Sequence, residues 1–139
     1  IPLKGANQSR TDYPQTNARV MDQSCALPLI LGLNALIFGG AGLLLRWQPP
    51  KNINPIYGYR TVWAMKSKAH WDFTQKYAAR QMILLGLLLA LLTLVVYFLP
   101  PLGKLLQLIS AVSIIIILVI LVIARVEAAL VKKFPSGKT

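Results

Sequence analysis

NPIYGYRTVWAMKSKAHWDFTQKYAAR, residues 54–80, is the long polar stretch between apolar runs in this chain. It holds Arg60, His70, Asp72, Trp63 and Trp71. Seven of the fifteen Lys and Arg residues fall between Arg46 and Arg80. On both sides the sequence turns almost wholly apolar. Residues 26–45, 81–99 and 105–124 carry no charge. About 20 helical residues cross a hydrocarbon core of about 30 Å, so each run reads as a membrane span. The few polar residues left over could not cover three such helices in water. The expected fold is an all-α membrane protein. Three transmembrane helices form a bundle, with an amphipathic cytoplasmic loop helix before the second span.

Working outward, Ser67 is placed to cap that loop helix, which should run on into the second span. Trp71, Thr74 and Ala78 fall on one face, Phe73 and Tyr77 on the next, and Lys68, Asp72, Gln75 and Lys76 opposite. Such a helix is expected at the membrane surface with its apolar face inward. Arg46 and Trp47 close the first span, with Trp47 at head-group level, and Pro49-Pro50 stop the helix. Within the first span, Ala35 and Gly39 form a small-xxx-small pair, matched by Gly86 and Ala90 in the second. Asn34 should face another helix or a cavity, because lipid offers its amide no partner. Ser110 and Ser113 have the option of bonding back to their own helix or across to a neighbour. Pro100-Pro101-Leu102-Gly103 reads as a tight hairpin, and the third helix is expected to continue past the membrane to Lys133.

Residues 1–24 form a polar leader, read as disordered, and residues 134–139 a short tail. The three-span domain occupies 25–133. Met21 is a candidate start of translation directly before the first span.

The net charge is +11. The basic residues flank the spans and form no single stripe, so membrane lipids are the expected contact and nucleic acid is not. Loop and tail are the most basic segments. They are therefore expected in the cytoplasm, with the amino terminus and the hairpin outside.

Chemistry is sparse. Of four acidic residues, Asp12 and Asp22 lie in the leader, leaving Asp72 and Glu127. The one histidine and the one cysteine, Cys25, are far apart in sequence. No phosphate-binding glycine motif occurs, and no ionisable residue lies deep in a span. The chain reads as a non-enzyme with no cofactor and no metal. Arg60, after Tyr57-Gly58-Tyr59 and before Thr61, is the informative residue. Its guanidinium could grip a phosphate or carboxylate, or snorkel on a basic loop. Asp72 is its plausible internal partner, and a closed Arg60–Asp72 pair would pin loop to helix. Trp63 and Trp71 then read as interface anchors.

Asn54, Gly58-Tyr59-Arg60-Thr61, Ala64-Met65-Lys66-Ser67 and Trp71 resemble the signature of the SdpI family. These are bacterial multi-span membrane proteins named for an immunity protein against a secreted killing factor. The likeness covers roughly residues 26–124. Val62 stands where family members often carry Pro. The resemblance implies immunity to a membrane-active toxin peptide, or signalling by holding a cytoplasmic regulator at the membrane. It places the binding or loop-organising role on the signature residues, with Asp72 beside them. A non-catalytic subunit of a larger membrane complex is the alternative.

Overall fold

The computed structural model describes residues 26–100 and 102–135. The expected leader, Met21, Cys25 and most of the tail lie outside the described residues. Three helices follow one another: α1 (Ala26–Trp47), α2 (Lys68–Tyr97) and α3 (Lys104–Lys133). All three are long and apolar enough to cross a membrane, and the described residues include no strand.

Local chemistry sets the boundaries. Pro28 sits in the first turn of α1, where a missing N–H is harmless. Gln107 of α3 reaches across to that turn. Its Oε1 accepts from Leu27 N at 3.2 Å, while its Nε2 donates to Leu102 O at 2.6 Å. One buried amide thus serves the open end of α1 and holds the hairpin. The loop helix and the second span are one continuous helix, α2. Ser67 caps it, its hydroxyl accepting from His70 N.

α1 and α2 are the tight pair. In lipid no hydrophobic force draws helices together, so close backbone packing must do so. A Cβ on Gly86 would lie 2.7 Å from Gly39 Cα and 3.0 Å from Ala35 O. A Cβ on Gly42 would lie 2.8 Å from Ile83 N. Gly39 itself is roomier, since a Cβ there would meet only Gly86 Cα at 3.9 Å. Of the expected Gly86/Ala90 pair, Gly86 is buried and Ala90 is exposed. Leu89, fully buried, takes the place beside it. Asn34 also differs from expectation. Its Nδ2 donates to Ile30 O at 2.9 Å, one turn back. A short side chain satisfies itself on its own helix more readily than across a gap. Ser110 likewise bonds back to Leu106 O.

Two apolar clusters hold the bundle. One contains Leu27, Leu31, Ala35, Leu85, Leu89 and Ala111. The other, at the loop end, contains Leu45, Ala78, Ala79 and Val126. Each helix contributes an arginine next in sequence to this second cluster: Arg46, Arg80 and Arg125. All three are exposed. They mark one level on the bundle, where head groups meet water.

Candidate functional site

At 30 residues, α2 is about 45 Å long, more than a hydrocarbon core of about 30 Å requires. Its first turns, before Arg80, project past the arginine level, and so does the end of α3. α1 stops at Trp47. The loop 48–66 rises in its place and completes a small head.

Each signature residue has a place in that head. Asn54 forms a turn, with Oδ1 accepting from Ile56 N at 3.0 Å and Tyr57 N at 2.7 Å. Its Nδ2 donates to Asn52 O. Gly58 has φ 108°, a region open to glycine. A Cβ there would stand 2.5 Å from Gln75 Oε1 and 3.0 Å from Pro50 Cγ. Tyr59 is gripped through its backbone: its N–H donates to Gln75 Oε1 at 2.7 Å and its carbonyl accepts from Gln75 Nε2 at 2.8 Å. Its hydroxyl donates to Glu127 Oε1 on α3 at 3.1 Å. Burial, then the charge of Glu127 and this hydrogen bond, raise the phenol's pKa above its ordinary value of 10.0. Thr61 Oγ1 accepts from Ala64 N at 3.3 Å, and Met65 N donates to Thr61 O at 3.1 Å. This turn carries Ala64 fully into the interior.

Several expectations change here. Gln75, placed on the polar face by its helical position, is buried. The loop covers that face, and the backbone groups of Tyr59 need partners once covered. Trp71 is no interface anchor. It is fully buried, and its Nε1 donates to Pro50 O at 2.9 Å. Trp63 stays partly exposed, with Lys66 Nζ 5.2 Å from its ring centroid. Arg60 and Asp72 do not pair. Arg60 Nη1 donates to Pro55 O, while Asp72 pairs with Lys68 one turn earlier on α2. The loop docks over Trp71 and Gln75, and Asp72 points to the open side of the helix, out of its reach.

Sequence reasoning also missed the far edge of the head. His70 stacks on Phe134 at 4.2 Å between centroids, and Lys133 Nζ lies 4.6 Å from the centroid of Phe73. These contacts bring the end of α3 onto the start of α2. Ser67 Oγ lies 2.6 Å from His70 Nδ1. That hydroxyl is already the helix cap, and no carboxylate is bonded to the ring among the described residues. The pair is a capping arrangement. No group of three His, Cys, Asp or Glu among the described residues could hold a metal.

The outer side of the head combines apolar and basic groups. Ile56 is 86% exposed and Val62 88%, with Arg60 and Lys66 also exposed. Underneath, the buried hydroxyl of Tyr57 has no partner among the described residues. The loop thus exposes apolar and basic side chains above a hydrogen-bonded frame.

The chain was compared with known proteins. It is 42% identical over 62 residues to the uncharacterized protein YfhL of Bacillus subtilis (strain 168), covering 42% of this chain. The matched stretch spans only 56% of that relative's length. No solved structure matches significantly. The description of the SdpI/YfhL protein family matches residues 51–126, which take in the whole signature loop, α2 and most of α3. This membrane protein belongs to the SdpI/YfhL protein family.

Proposed function

We propose that the chain is a non-catalytic immunity-type protein of a bacterial plasma membrane, and that partners read the outer patch of its head. One observation carries this reading. Ile56 and Val62, both more than four-fifths exposed, flank Arg60 on a loop whose backbone is clamped from beneath. Arginine is enriched at interaction hot spots, and the exposed apolar side chains beside it in sequence add surface that a partner can bury. The partner is a membrane-active toxin peptide or a regulator, and the basic bias of loop and tail supports a cytoplasmic head.

The test is protection of sensitive cells against a membrane-active killing peptide at matched expression. Wild type should protect, and the Ile56→Asp/Val62→Asp double variant should not. Arg60→Lys should also fail if a partner takes the planar guanidinium, whereas Asp72→Asn should protect fully. No protection by wild type would sink the immunity role.

The second reading, a subunit of a larger membrane complex, draws support from α3. Only Gln107, Ala111, Val126 and Leu130 of that helix are buried. A stoichiometric membrane partner in gentle-detergent purification would favour it.

A further inference from the structure

Leu84, Leu85, Leu88, Leu118, Leu121 and Val122 line a groove of about 200 Å³ between α2 and α3. Gln81 and Arg125 stand at its loop-side end. Leu84, Leu88 and Leu121 are 51%, 42% and 52% exposed, so the groove opens sideways into the bilayer. From Gln81 to Leu88 it runs about 10 Å along α2, from the arginine level toward the bilayer centre.

Its polar end is unusual. Gln81 is 9% exposed and lines the groove at this end. An amide facing such a groove gains from a polar partner that lipid tails do not offer. Arg125 forms no ion pair among the described residues, and the nearest carboxylate in sequence, Glu127, is bonded to Tyr59. Arg46 and Arg80 add positive charge at the same level. The groove therefore has an acyl-shaped apolar run, an amide donor and an unpaired guanidinium at head-group height.

We propose that this groove holds one acyl chain of an anionic phospholipid from the loop-side leaflet, with its phosphate on Arg125 and the Gln81 amide. The occupant is a lipid because the groove opens laterally between lipid-facing helices. It is anionic because three arginines, Arg46, Arg80 and Arg125, stand at that level against the single carboxylate of Glu127 among the described residues, Asp72 being paired with Lys68. The proposal is independent of any toxin or regulator.

The experiment uses the purified full chain in detergent, titrated with phosphatidylglycerol or with phosphatidylcholine of the same acyl chains. Native mass spectrometry counts the retained lipid. Wild type should hold phosphatidylglycerol over phosphatidylcholine by about fivefold or more, the scale of one basic group at a membrane surface. Arg125→Gln and Gln81→Leu should each erode that preference. Leu121→Trp, which fills the apolar run, should lower retention of both lipids. Lys132→Gln makes the same charge change outside the groove and should leave the preference intact. Circular dichroism checks the helicity of each variant, and Gln81→Leu keeps the test open should Arg125→Gln misfold. Equal retention of the two lipids by wild type would overturn the proposal. So would an equal effect of Lys132→Gln and Arg125→Gln, which would mean diffuse charge, or a second copy of the chain in place of lipid.

Discussion

The side-chain amide of Gln75 meets the backbone of Tyr59 twice, receiving its N–H at 2.7 Å and donating to its carbonyl at 2.8 Å. A single residue of α2 thereby does for the loop what a neighbouring strand does in a sheet. It also explains why glycine stands at position 58, where any Cβ would strike the Gln75 amide.

Gln75→Leu should therefore free the loop while leaving the spans intact. Each backbone group of Tyr59 left unpaired costs about 1–3 kcal/mol. Limited trypsin digestion should show faster cleavage after Arg60, with helicity unchanged. A loop as resistant as wild type would show that the clamp is dispensable.

Glycine substitutions in the bundle should rank by the space around them. Gly86→Ala and Gly42→Ala force backbone apart and should each lower stability by about 1–3 kcal/mol. Gly39→Ala meets only an ordinary contact, and a Cβ on Gly40 has nothing within 4 Å. Thermal unfolding in detergent reads the order, and equal midpoints for Gly86→Ala and Gly40→Ala would contradict the packing.

Tyr59 gives a pH dependence with a definite sign. Unfolded, its phenol ionises near 10.0; folded, burial and Glu127 hold the proton to higher pH. Its contribution is complete below about pH 10 and declines as the pH climbs beyond that toward the raised folded value. Melting midpoints at pH 8 and 10.5 should fall more for wild type than for Tyr59→Phe. At pH 8 the variant should be less stable by roughly 1 kcal/mol, from the lost Glu127 bond.

Orientation is open to labelling. In a Cys25→Ser background, an impermeant thiol reagent added outside intact cells should reach Gly103→Cys and miss Ser136→Cys. The reverse pattern would invert the proposed topology.

The spans were legible because a hydrocarbon core demands long uncharged runs, and three such runs stand plainly in the sequence. The start of α2 was legible from Ser67, a capping residue ahead of a helical pattern. The signature was legible as a unit, yet its internal wiring was not. Gln75 lies 16 residues from Tyr59, and Glu127 lies 68. Nothing local in sequence ties them together, and a glutamine among lysines reads as a solvated face. Trp71 misled for a related reason: beside a membrane an indole suits the interface, and only the path of Pro50 shows what it bonds instead. Arg60 and Asp72 are close in sequence, but Asp72 has Lys68 at helical spacing, which a wheel of charges alone would have favoured.

Arg46, Arg80 and Arg125 come from three different helices and reach the same height. A bundle with its charges scattered along its length could bob or lean in the membrane at little cost. Here a slip toward the bilayer centre would drag all three guanidinium groups toward hydrocarbon at once, and a lean would sink one while lifting another. The protein thus has a fixed waterline. Sinking the head that carries Ile56 and Val62 would therefore cost the desolvation of three charges.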